Sequence, residues 1–169
     1  TTVSLVINFA PDASLLSKLL VDIDSEPAGI GLPTGNDLSI WEARGLLYFK
    51  YDDGKHGLEL WQTDGTGAGT SLLKDFSPGP VGSGVSVLAE SNGKVFLHAS
   101  DGFHGSELWM TDGTAAGTRL VKDIRPGGVS SSPHIGVNVN GTLYFRANDG
   151  VNGVELWKSD GTAVGTVLV

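Results

Sequence analysis

The chain has 169 residues, enough for one or two domains with a substantial core. Glycine accounts for 25 residues, about twice the usual share, and charged residues for only 18%, which excludes a charge-rich disordered segment and a coiled coil. The net charge of −8 makes nucleic acid and anionic membranes unfavourable partners. No apolar run is long enough for a membrane-spanning helix, and the absence of cysteine excludes disulfides and thiolate chemistry.

The first predicted element is a strand near the N-terminus. Val3 to Phe9 is uncharged and rich in strand-forming residues, and it precedes Pro11. We expect either an edge strand paired within its own chain and followed by a short helix at residues 12–20, or a strand that pairs with a neighbouring copy. The first alternative is favoured, because strand exchange is the rarer arrangement. The residues that would mediate assembly through this strand are Val3, Leu5, Ile7 and Phe9.

A Gly/Pro-rich stretch ends this N-terminal segment, residues 1–35, and three copies of a 48-residue unit come after it. The spacing between the repeated motifs is identical in the copies, so one structural unit is stacked along the chain. The units are residues 36–83, 84–131 and 132–169, the last of them short of its final strand. The repeated motifs are Glu-Leu-Trp at 59–61, 107–109 and 155–157, and Asp-Gly-Thr at 64–66, 112–114 and 160–162.

Each unit is predicted to contain four short antiparallel strands. In the middle copy these are residues 84–90, 94–100, 106–111 and 118–124, joined by tight turns such as Asn92-Gly93. Some strands are apolar on consecutive residues, which indicates a sheet covered on both faces. The fold class is therefore all-β, with the units as blades of a β-propeller-like array; a β-solenoid is the weaker alternative, because its coils are shorter and parallel.

The run from Glu107 to Thr114 resembles the ELWxxDGT repeat of large bacterial surface and secreted proteins, and the other two copies resemble it as well. The resemblance extends over about residues 45–169. It implies a propeller-like repeat and an extracellular or cell-surface location, and it implies no activity.

Three blades are too few for a closed propeller, for which about four is the minimum. Three arrangements would cover the end blades: a longer array, a ring shared between copies such as two sets of three blades, or the N-terminal strand added to an edge of its own or a neighbouring chain, which builds a filament if the contact is head-to-tail. The sequence thus predicts a homo-oligomer or filament.

The repeated Glu, Trp and Asp residues have a functional and a structural interpretation. The acids could bind sugars or metal, and the tryptophans could stack on sugar rings; alternatively, the acids pair with Lys74 or Lys122 or with backbone N–H groups, and the tryptophans pack between blades. We favour structure, because a stacking interface needs the same residue in every copy. The residues are Glu59, Trp61, Asp64, Glu107, Trp109, Asp112, Glu155, Trp157 and Asp160.

Four further residues are candidate ligand contacts. Trp41 has no tryptophan at its equivalent positions in the other copies, and we expect it to be exposed. His56 and His104 share one loop position, which Asn152 occupies in the third copy. Calcium is a weak alternative for the Asp-Gly loops, because the full Asp-x-Asp-x-Asp-Gly pattern is absent, and no other metal or cofactor is expected.

No catalytic motif is present, and we expect a chain that is not an enzyme. The leading hypothesis is a noncatalytic structural or adhesive module that self-associates through its blade edges or its N-terminal strand. The alternative is a carbohydrate-binding module with one loop site per repeat, whose partners would be glycans.

Overall fold

A computed structural model describes residues 5–7 and 38–169 of the chain. These residues form thirteen β-strands and no helix, which confirms the predicted all-β class. Val3, Phe9 and the helix predicted at residues 12–20 lie outside the described residues.

The strands form three sheets in chain order, and each strand of a sheet pairs with the next one along the chain. The first sheet contains β1 (Leu5–Ile7), β2 (Leu38–Ala43), β3 (Leu46–Asp52), β4 (Leu58–Thr63) and β5 (Ser71–Lys74). The second contains β6 (Ser86–Ser91), β7 (Lys94–Ser100), β8 (Ser106–Thr111) and β9 (Arg119–Lys122). The third contains β10 (His134–Val139), β11 (Thr142–Asn148), β12 (Val154–Ser159) and β13 (Val167–Leu168). Each repeat is therefore the predicted antiparallel meander of four strands.

The N-terminal strand adds a fifth member to the first sheet. β1 runs parallel to β2 of the same chain, with Leu5 opposite Leu38 and Ile7 opposite Ile40. The strand pairs within its own chain, as in the first of the two predicted arrangements; the helix of that arrangement lies outside the described residues.

Two-residue turns set the register of the first hairpin in every repeat. Asn92-Gly93 and Asn140-Gly141 have positive φ at both residues, as type I′ turns require, and Arg44-Gly45 takes the same conformation in the first repeat. Because this turn matches the twist of the flanking strands, the hairpins predicted from the Asn-Gly pairs are confirmed.

The three sheets stack face to face in chain order. We call the face of a sheet that is turned toward the following repeat, or toward the end of the chain in the third sheet, its back face. The opposite face of each sheet is its front face. The back face of the first sheet, with Tyr48 and Leu60, packs on the front face of the second, with Leu97 and Trp109. The back face of the second sheet packs in the same way on the front face of the third, for example Leu108 near Phe145 in one buried cluster. Strands covered on both sides explain the consecutive apolar residues of the sequence.

Candidate functional site

Two of the repeated glutamates, Glu59 and Glu107, bind the linker at the end of their own repeat. Glu107 is fully buried, and its carboxylate accepts the backbone N–H groups of Ile124 (2.8 Å) and Ser131 (2.8 Å) and the Ser131 hydroxyl (2.5 Å). Burial raises the pKa of Glu107, and these hydrogen bonds act against the rise. Glu59 makes the equivalent pair of bonds to Ser83. These bonds are the predicted ones to backbone N–H groups.

The predicted pairing of these acids with a repeat lysine is wrong for Lys122. Its Nζ atom donates to the Thr166 carbonyl (2.7 Å) and lies 5.8 Å from the centroid of the Trp157 ring. The ammonium group thus bridges the second and third repeats without reaching a glutamate.

The Asp-Gly-Thr motifs are closed turns. Oδ1 of Asp112 accepts the N–H (2.9 Å) and the hydroxyl (2.7 Å) of Thr114, and the Thr114 hydroxyl accepts the N–H of Gly117 (2.9 Å). The turns at Asp64 and Asp160 have the same bonds. The carboxylates therefore hold the loop between the third and fourth strands of each repeat.

Two of the three repeated tryptophans, Trp109 and Trp157, pack between sheets. Trp109 is 7% exposed and meets Phe76 of the preceding repeat edge to face, with ring centroids 5.2 Å apart. Trp157 is as deeply buried, and Trp61 is half-buried beside Tyr51. The buried rings of Trp109 and Trp157 have no open face for a sugar, which supports the packing interpretation for these two residues.

His56, His104 and Asn152 are held inside their own loops. Nδ1 of His104 lies 2.7 Å from Oδ2 of Asp101, while Oδ1 of that aspartate accepts the N–H groups of Phe103 and His104. Asn152 reproduces the contact by donating from Nδ2 to Asp149 (2.7 Å). In the first loop, the N–H groups of His56 and Lys55 lower the pKa of Asp53 to about 2. Among the described residues, no group of three or more His, Asp or Glu side chains is arranged to hold a metal ion.

Trp41 is buried, so its predicted exposure is wrong. It belongs to the cluster between the first and second sheets, is only 7% exposed, and has Lys50 Nζ 6.0 Å from its ring centroid. A cavity of about 630 Å³ runs past it along β2, β6 and β10, lined also by Glu42, Glu90 and Asn138. The structure therefore does not bring Trp41 onto one surface with the loop residues His56, His104 and Asn152.

The back face of the third sheet differs from its two counterparts. Leu60 and Leu108 are fully buried, whereas the equivalent Leu156 is 50% exposed. Val137 is 52% exposed, although the equivalent Trp41 and Ala89 are buried. The front face of the same sheet is covered, with Leu143 and Phe145 inside the core. The exposed apolar residues of the back face are Ile135, Val137, Val139, Val154, Leu156 and Val169.

This back face has a shallow cavity of about 490 Å³. Tyr144, Arg146 and Leu156 line the cavity from the back face, whereas Glu155, which also borders it, pairs with Ala147 and so lies on the front side of its strand. Glu155 stands at the repeat position where Glu59 and Glu107 are buried. An apolar patch with a polar border is typical of a protein interaction surface.

The sequence did not identify which residues of this face are exposed, because they occupy the same repeat positions as buried residues of the other two sheets. Ser83 and Ser131, which bind the repeated glutamates, were missed too. Their 48-residue spacing is visible in the sequence, but serine in a glycine-rich linker gives no hint of a buried partner.

No family model matches the chain, and neither does any curated protein. A solved structure from a structural and mechanistic analysis of two prolyl endopeptidases, concerned with interdomain dynamics in catalysis and specificity, is similar to it, with a TM-score of 0.52 and 15% identity. The match covers 81% of this chain and 21% of the other, so this chain spans about a fifth of that protein's length. At this identity the similarity bears on the fold alone.

The described part of the chain contains no helix with the length and apolar character needed to cross a membrane.

Proposed function

We propose that the chain is a noncatalytic structural module, a propeller-like array of three blades, that associates with further copies of itself outside the bacterial cell or at its surface. The location rests on the resemblance to the ELWxxDGT repeat. The stacked four-stranded sheets and the shared fold with a larger protein support the propeller-like arrangement.

A structural role is supported by what the repeated residues contact. Glu59 and Glu107 bind a linker serine, the aspartates close turns in all three repeats, and Trp109 and Trp157 fill the space between sheets. Side chains engaged in this way in successive copies serve stacking, as a repeat protein requires.

The observation that carries the proposal of self-association is the exposed back face of the third sheet. Leu156 and Val137 are half exposed there, whereas their equivalents in the other two sheets are buried. An apolar sheet face left in water is unfavourable by roughly 25 cal/mol for each Å² that association would bury. The same repeat pattern that stacks sheets within the chain therefore favours stacking between chains.

Sedimentation velocity across a concentration series tests this proposal. We expect species larger than the monomer, with a population that rises with protein concentration. Leu156→Glu should shift the distribution to monomer, because association would bury an unpaired charge. Phe103→Glu is the control, since Phe103 is 79% exposed on a loop away from the back face. A wild-type chain that is monomeric at all concentrations contradicts the proposal.

A further inference from the structure

We infer that a cavity of about 420 Å³ around His98 and His134 binds a small organic anion, a carboxylate attached to an apolar body. The cavity is lined by residues of β2, β6, β7 and β10, and thus by all three sheets of one chain. The inference goes beyond the proposed structural role and does not depend on self-association.

A basic residue occupies one repeat position in all three copies. Lys50, His98 and Arg146 are 48 residues apart, and each lies opposite the leucine of the Glu-Leu-Trp motif on the next strand. None of the three forms an ion pair within the described part of the chain. Although the chain has a net charge of −8, these basic side chains therefore have no carboxylate of their own and can bind one from solution.

Two of these side chains meet His134 at the cavity. Nδ1 of His98 lies 3.1 Å from the Ser106 hydroxyl, and its Nε2 has no hydrogen-bond partner among the described residues. The exposed His134 lines the cavity from β10. Lys50 Nζ lies 6.0 Å from the ring centroid of Trp41, which forms one wall. Imidazole N–H groups and an ammonium group are the donors that a carboxylate needs.

The electrostatic environment of the cavity is positive. Burial lowers the pKa of His98 to about 4, and the positive charges of His134 and Lys50 contribute to the decrease. No acidic group from residues 38–169 acts against this decrease. A bound carboxylate would supply the missing negative charge.

The rest of the lining favours a ligand with an apolar body. Apart from the two histidines and Ser86, the wall consists of Gly136 and of the side chains of Trp41, Val87, Leu88 and Ile135. A cavity of this size, largely apolar and with few polar groups, suits a small organic molecule. Inorganic phosphate could use the basic groups but would leave the apolar wall without a partner.

Calorimetric titration of the full chain with three probes tests the inference. Benzoate carries a carboxylate on a ring, and benzamide has nearly the same shape without the charge. We expect benzoate to bind and both benzamide and inorganic phosphate to bind about tenfold more weakly or less. Failure of benzoate to bind overturns the inference. Benzamide binding as tightly as benzoate overturns the anion site, and phosphate binding as tightly overturns the apolar body.

Matched variants locate the binding site. Lys50→Gln and His134→Asn should each weaken benzoate binding about fivefold or more, because each removes a donor to the carboxylate. Lys55→Gln and His104→Asn make the same chemical changes in loops outside the cavity and should leave the affinity unchanged. Thermal unfolding checks that all four variants keep the fold. Equal losses in the variants and their controls would show a general effect of charge and overturn the site.

The protonation of His98 gives a readout that a purely structural role would not change. A carboxylate beside the ring stabilises the imidazolium form, so saturating benzoate should raise the pKa of His98 above about 4, whereas benzamide should not. Nuclear magnetic resonance of the imidazole C–H groups across a pH series measures this pKa. A value that benzoate leaves unchanged overturns the assignment of His98 to the site.

Discussion

At the scale of single residues, a buried glutamate links each of the first two repeats to the next. Glu107 on β8 binds Ser131 in the linker, and the Ser131 carbonyl in turn accepts the N–H of Asn148 at the end of β11 (2.9 Å). Ser83 connects Glu59 to Ser100 in the same way. A buried acid is unfavourable unless its oxygens are satisfied, and here both oxygens accept hydrogen bonds.

Glu107→Gln should destabilise the chain by about 2 kcal/mol, because the amide NH₂ would face a backbone N–H and leave a buried donor without an acceptor. Glu155→Gln is the matched control, since the same repeat position is exposed there and should change stability by less than about 0.5 kcal/mol. Urea unfolding of dilute protein measures both variants. Equal effects at the two positions would contradict the bridging role of Glu107.

The sequence predicted bonds from these acids to backbone N–H groups between repeats; Glu59 and Glu107 do accept backbone N–H groups, but from the linker serines at the end of their own repeats. It did not predict the serines, because the partner lies 24 residues along the chain and only the packing of two sheets brings it close. Local patterns identify a residue that needs a partner, but the identity of the partner depends on tertiary contacts.

At the scale of elements, the turn after the third strand of each repeat is built around a close approach of two residues. A Cβ atom at Gly117 would overlap the carboxylate of Asp112, and the same holds for the equivalent pairs in the other repeats. Glycine is thus required there by space rather than by a positive φ. The Asp-Gly-Thr and Gly-Thr motifs recur together because they form one hydrogen-bonded unit.

Gly117→Ala should therefore destabilise the chain by about 1–2 kcal/mol, because it displaces the Asp112 carboxylate from Thr114. Asp112→Ala should have a similar effect, and the double variant should lose clearly less than the sum, since both changes remove the same bonds. Thermal unfolding of the three variants measures this coupling. Additive effects would show that the glycine and the aspartate act independently.

At the scale of the whole molecule, the repeat predicted the number of sheets, their strands and their antiparallel order. The boundaries in the second repeat agree closely, with Lys94–Ser100 and Ser106–Thr111 as predicted. The burial of Trp41 was not predictable from its lack of counterparts, because it depends on the second sheet covering the first one. The exposure of Val137 and Leu156 depends on whether a further sheet covers the third one, which periodicity alone does not describe.

The contact between the second and third sheets should also make stability depend on pH through His98. This residue lines a cavity of about 420 Å³ with His134, and its Nδ1 lies 3.1 Å from the Ser106 hydroxyl. Burial lowers the pKa of His98 to about 4, and the positive charges of His134 and Lys50 contribute to the decrease. Between pH 6.5 and 4 the unfolded chain therefore binds a proton that the folded chain does not, so stability falls as the pH falls through this window.

Replacing His98 should remove this dependence. We expect the wild-type chain to lose about 2 kcal/mol from this group between about pH 7 and about pH 5, and His98→Asn to lose correspondingly less over the same interval. His104→Asn is the control: the hydrogen bond to Asp101 raises the pKa of His104, so its removal should not reduce the loss in acid. Urea unfolding at the two pH values measures the three proteins. A His98→Asn variant that loses as much stability as the wild-type chain would show that His98 takes up its proton without disturbing the contact between the sheets.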